Sequence, residues 1–142
     1  MVDLNVFCDP SSEPTARYDL STPWVYDGWR YATDDRICVR ELAPGEPSSP
    51  DARASGSNVG KRPRAHELFA KFPKKGFTRD WPTGGEETMI AGRRIAGWAV
   101  ARIGLLDGVK FRPDRGSEED AICFIDAHGR QGKVMPMVPI GK

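Results

Sequence analysis

ETMIAGRRIAGWAVARIGLLDGVKFR, residues 87–112, is the stretch that decides the fold class. Glu87-Thr88-Met89-Ile90 reads as a strand. A helix is predicted over about 93–106, because Ile95, Ala96, Ala99, Val100, Ile103 and Leu106 fall within one arc of about 140°. Arg93, Arg94 and Arg102 lie outside that arc. Asp107-Gly108 closes the helix, with Gly108 suited to the left-handed position beyond a helix end. Val109-Lys110-Phe111-Arg112 then alternates like a half-buried strand. One main helix among short strands points to an α+β fold with antiparallel sheet.

Downstream, Arg115 to Asp120 reads as a charged turn and Ala121 to Ile125 as a buried strand. The last strand is Lys133 to Val138, where Pro136 cannot donate to a ladder and so forces an edge or a bulge. Upstream, Trp24-Val25-Tyr26 is β-prone, Asp27-Gly28 is a hairpin signal, and Trp29 to Thr33 returns from it. Asp34-Asp35 is a second turn, followed by the apolar Ile37-Cys38-Val39. Ala65 to Phe72 suits a short helix stopped by Pro73, and Trp81-Pro82 and Gly84-Gly85 mark turns.

Residues 1–16 are polar and turn-rich, as expected of a loosely ordered lead-in. Residues 43–64 are rich in Pro, Ser, Gly and charge, and are predicted to be a long mobile loop. That loop is read as an insertion inside one domain spanning 1–142, a usual length for one domain. The chain is 39% hydrophobic and 29% charged, as suits a globular protein. It has no apolar run long enough to span a bilayer and no secretory h-region at its start. Cys8, Cys38 and Cys123 are odd in number and widely spaced, against both a disulfide framework and paired zinc ligands. They read as reduced, mostly buried thiols of a cytoplasmic protein. The net charge of +1 does not by itself mark a nucleic-acid binder.

Catalytic motifs are lacking: there is no phosphate-binding glycine loop, nucleophile elbow or zinc-binding helix signature. Asp34 and Asp35 are better read as a turn than as an acid–base pair, and Glu118-Glu119-Asp120 as a solvated loop. His128, beside Gly129, is a turn residue. The expectation is a binding protein without cofactor, metal or small-molecule substrate. An enzyme built around Asp34, Asp35 and His128 is the alternative of another class.

Two stretches resemble the bacterial sliding clamp, the β subunit of replicative DNA polymerase. Tyr31-Ala32-Thr33-Asp34-Asp35-Arg36-Ile37 is similar to the clamp hairpin motif Ala-Thr-Asp-Gly-His-Arg-Leu. The chain from Gly92 through Gly108 to Val134-Met135-Pro136-Met137 resembles the end of the last clamp domain: a helix, a Gly-containing corner, two or three strands and a terminal Val-Met-Pro-Met-Arg-Leu. Asp35 departs from the motif's Gly, which suggests an Asx-type turn, and Val138 stands where Arg is expected. The 43–64 loop has no counterpart in the motif.

The resemblance implies a clamp-like module acting in DNA replication or another DNA transaction. A clamp ring uses six such domains, so a single-domain chain would need homo-oligomers to build one. In clamps these motifs line a pocket for short peptides of DNA enzymes, which maps here to Thr33, Arg36, Ile37, Val134, Met135, Pro136 and Met137. Clamp helices present basic side chains to phosphates, which maps to Arg93, Arg94 and Arg102, with Lys110 and Arg112 following. Lys61, Arg62 and Arg64 are a second, weaker phosphate candidate. The rival is a monomeric clamp-fold adaptor or inhibitor that holds a protein partner without DNA.

Overall fold

A computed structural model of the chain describes residues 2–11, 18–53, 62–113 and 121–137. The predicted charged turn at 115–120, Val138 and the middle of the long loop lie outside them. The chain divides into two compact units, Asp3–Phe72 and Pro73–Lys142 with Met1–Val2.

The first unit is built on a three-stranded antiparallel meander: β1 (Trp24–Tyr26), β2 (Trp29–Thr33) and β3 (Ile37–Leu42). The Asp27-Gly28 turn joins β1 to β2 with φ of 48° and 84°. Two positive φ values in a two-residue turn match the right-handed twist of the strands it joins. The β2–β3 turn is the Asx type expected once Asp replaces Gly. Asp34 Oδ1 accepts the amides of Arg36 (2.9 Å) and Ile37 (2.8 Å), and Asp35 takes φ 80°. Directly opposed residues share a face, so Trp24, Tyr31 and Arg40 form one row. Tyr26, Trp29 and Leu42 form the next.

A 3-10 turn, Ala65–Phe69, lays Ala65 and Phe69 over Trp24 and Tyr31. The first residues depart from the loosely ordered lead-in expected of them. Leu4–Phe7 is a 3-10 turn capped by the Asp3 carboxylate, and it buries Leu4, Phe7 and Cys8. The described ends of the 43–64 loop are likewise anchored. Val25 donates to Ser49 Oγ (3.0 Å) and accepts from the Ser49 amide (2.8 Å), closing the outer edge of β1. The loop also holds a helical turn, α1 (Pro50–Arg53).

Arg62 fastens the far end of that loop. Its guanidinium meets Asp51 at 2.5 Å, the carbonyls of Thr22 (2.7 Å) and Asp19 (3.0 Å), and Thr22 Oγ1 (2.8 Å). The side chain is 9% exposed. Hydrogen bonds from Ser21, aided by Arg62, hold the Asp19 carboxyl below the usual carboxylate range.

The second unit carries the main helix, α2 (Gly97–Ile103), and a four-stranded antiparallel sheet. That sheet comprises β4 (Arg79–Asp80), β7 (Lys110–Phe111), β8 (Ile122–Ile125) and β9 (Gln131–Val134), in the order β9-β8-β7-β4. Its inward face is Ile122, Phe124, Gly132 and Val134, and β8 and β9 alternate strictly between buried and half-buried. Ala99, Val100, Ile103 and Leu106 from the predicted apolar arc are buried. Trp81, predicted only as a turn marker, is buried among them and donates its indole N–H to the Val100 carbonyl at 3.0 Å.

The helix is shorter than the predicted 93–106. Arg93–Ile95 forms β6, paired with β5 (Thr88–Ile90) through an Ala91-Gly92 turn. Ile95 is buried as a strand residue. Gly97 opens the helix where a Cβ would stand 2.3 Å from the Gly85 carbonyl oxygen. Beyond Ile103 the chain continues in i→i+3 turns through Leu106, and Gly108 takes the predicted left-handed conformation (φ 59°) several residues past the helix end.

Ala91 sits at φ 54°, a region costly for a residue with a Cβ. Ala91→Asn, better suited to φ > 0, is expected to raise stability by about 0.5–1 kcal/mol. A denaturant midpoint that stays put or falls would contradict the strain.

Candidate functional site

Val134 to Met137 continue from β9 into a segment beside β6. The ladder stops at Val134, two residues before Pro136, so the strand predicted over 133–138 ends before the residue that cannot donate. Side chains alternate along the segment. Val134 is fully buried opposite Ile122, Met135 is 46% exposed, Pro136 is buried and Met137 half-buried. The Met137 amide donates to the Arg94 carbonyl at 2.8 Å, which seats the segment along the free edge of β6. Of the four residues, Met135 therefore offers the most side chain to a partner, with Met137 next.

Thr33, Arg36 and Ile37 belong to the first unit. Thr33 donates its hydroxyl to the Ile37 carbonyl (2.8 Å) and accepts the Asp35 amide (3.0 Å), so it closes the hairpin turn. Ile37 is fully buried and Arg36 is exposed.

The basic candidates of the second unit do not share one helix face. Arg102 alone lies on α2, with its guanidinium 5.0 Å from the Trp98 ring centre. Arg93 and Arg94 are on β6, where alternation turns Arg93 inward to 6% exposure and Arg94 outward, 3.3 Å from Glu87. Lys110 on β7 pairs with Asp80 at 2.7 Å, and half-buried Arg112 follows it. Arg94 and Lys110 thus carry neighbouring counter-charges.

In the long loop, Arg62 is committed to the bonds described above and is withdrawn from phosphate contact. Arg64 is 80% exposed, 3.6 Å from Glu67, and Lys61 lies outside the described residues.

The residues of the enzymatic alternative have structural work. Asp34 caps its turn through backbone amides. His128 belongs to the β8–β9 turn of the other unit, where Asp126 Oδ1 accepts its amide (2.9 Å) and Asp107 meets its Nε2 (2.7 Å). That contact is what holds the Asp107 carboxyl below its ordinary range. Among the described residues no three His, Cys, Asp or Glu side chains cluster as a metal site. The cysteines are free, and burial pushes the Cys8 thiol up to about 11 and the Cys38 thiol up to about 12, well away from the nucleophilic range. No helix among the described residues is long and apolar enough to cross a membrane.

Two surface features were not legible in the sequence. A cleft of about 430 Å³ opens between the 80–84 segment and the 104–109 turns, with Trp81, Pro82, Thr83 and Leu105 in its wall. Met89 and Trp98 are exposed apolar residues of the second unit, at 62% and 46%. Single exposed apolar residues leave no periodic trace that would distinguish them from core.

Comparison of the chain with protein families, curated proteins and solved structures finds no match. The class defined by the fold is an α+β protein of mostly antiparallel sheet with one main helix.

Proposed function

We propose that this chain is a sliding-clamp-like binding module of the cytoplasm that acts in DNA transactions. Its Val134–Met137 segment receives a short apolar peptide of a DNA enzyme, and cations such as the exposed Arg94 and the half-buried Arg102 contact phosphates. The observation that supports this reading best is the order of the second unit. Helix, Gly108 corner, β7, β8 and β9 lead into Val134-Met135-Pro136-Met137, with Met135 half exposed at the end. This is the succession on which the clamp resemblance rests. A methionine on an accessible edge adapts to varied apolar side chains, which suits capture of several related peptides.

The test is a fluorescence anisotropy titration with a labelled peptide carrying the clamp-binding segment of a bacterial replicative polymerase. Saturable binding in the micromolar range is expected. Met135→Ala together with Met137→Ala should weaken it about tenfold or more, as loss of an apolar anchor does. Binding that is unchanged in the double variant would remove the segment from the site.

A further inference from the structure

The aromatic face of the first unit is more than core. Its inner row, Trp24 and Tyr31, lies under Phe69 and is closed off. The outer row is not. Tyr26 and Trp29 are half-buried and Leu42, next to Trp29 across the strands, is 64% exposed. His66 stacks on Tyr26 with ring centres 4.4 Å apart and planes within 24°. The Arg40 guanidinium lies 3.8 Å from the Trp29 ring centre and 4.5 Å from that of Phe69, and donates to the Tyr31 hydroxyl at 3.2 Å. A cation clamped this way has already lost its side-chain freedom.

The segment that carries His66 and Phe69 belongs to a basic stretch of the sequence. Between residues 61 and 79 the sequence has seven Lys and Arg and one carboxylate, Glu67. Subtracting one from seven leaves +6 in a chain whose net charge is +1. Within the unit, Arg64 and Lys71 are the exposed members of that stretch.

We infer that the Tyr26–Trp29–Leu42 row, with His66 and Arg40 stacked on its rings and Arg64 and Lys71 beside it, is a platform for single-stranded DNA. Aromatic faces arranged in a row accept unstacked bases of any sequence, while flanking cations take the phosphates. A duplex keeps its bases stacked on one another and can offer only phosphates. An acidic peptide would satisfy the cations but make no use of the aromatic row. The choice of DNA over RNA rests on the proposed role in DNA transactions. The platform itself rests on none of the clamp motifs.

The experiment is anisotropy of fluorescein-labelled oligo(dT) with the full chain at two salt concentrations, beside oligo(U) and a blunt duplex. Oligo(dT) should bind with tryptophan quenching, lose affinity steeply with salt, and resist displacement by the duplex. Tyr26→Leu should weaken binding about five- to hundredfold, the range of one lost base stack. Arg64→Glu with Lys71→Glu, both exposed and harmless to folding, should weaken it about tenfold and flatten the salt dependence. The same charge-reversed variant should still capture the polymerase peptide, so failure here and failure of the clamp reading are separable. No oligo(dT) binding at low salt, equal binding of the duplex, or tighter binding of oligo(U) would each overturn the inference.

Discussion

Gly132→Ala is expected to destabilise the protein by about 3 kcal/mol, at the upper end of what overpacking a core costs. Gly132 lies directly opposite Phe124 in the β8–β9 ladder, and the phenyl ring covers its Cα. A Cβ there would stand 2.2 Å from Phe124 Cζ and 2.3 Å from Cε1. The ring cannot step aside easily, because Phe124 is 1% exposed and its ring centre lies 5.8 Å from that of Trp81. Backbone conformation plays no part, so the penalty is steric and lies in the partner. Replacing that partner should therefore relieve it. In a double-mutant cycle with Phe124→Leu, the two changes should couple by more than about 1 kcal/mol. Strict additivity in urea unfolding would show that the ring does not hold the position.

Arg62→Met is expected to cost about 2–3 kcal/mol, in the range for breaking a partly buried charged cluster from one side. Methionine keeps an apolar stem near the Trp24 ring, 5.6 Å from the present guanidinium. It leaves two backbone carbonyls and the Asp51 carboxylate without their donor. The loss should appear as earlier unfolding of the 19–22 and 50–53 segments in hydrogen exchange, ahead of the β1–β3 sheet. Uniform exchange across the unit, or a stability change under about 0.5 kcal/mol, would contradict the fastening role. Asp19 adds a pH dependence of known sign. Its pKa is lowered in the folded chain, so its stabilisation is present above the unfolded carboxylate pKa and fades as pH falls through the folded one.

These cases also mark what was legible beforehand. The β1–β2 hairpin is written in Asp27-Gly28, two residue types that tolerate positive φ, and the turn uses both. The Asx turn follows from Asp34 in the same way. The apolar arc of the main helix identified Ala99, Val100 and Ile103 as core through the 3.6 period, and Leu106, in the turns beyond the helix, is buried with them. The helix start was misplaced by a turn that carries no such signature. Ala91 is a poor residue at φ 54°, so Gly92 alone hints at the 91–92 turn, and Arg93–Ile95 reads as helix by continuity.

The same error placed Arg93 on a solvent face, when strand alternation turns it inward. Arg62 was legible as a cation but not as a fastener, since its partners lie 11 to 43 positions away in the chain. The two-residue strand Arg79–Asp80 is too short for any periodicity to show. For the Val134–Met137 segment, Pro136 pointed to an edge or a bulge in a strand running to Val138, whereas the ladder ends at Val134. Which of the four side chains faces outward followed only from the register with β8.

Peptide binding at the Met135 edge is the property on which the proposed function stands or falls. Amide chemical-shift mapping of the labelled full chain with the polymerase peptide tests it most directly. Shifts should concentrate at Met135, Met137 and Arg94, whose carbonyl holds the Met137 amide, and should saturate with the titration. A peptide that leaves these three amides unmoved, or that shifts only residues elsewhere, would contradict it.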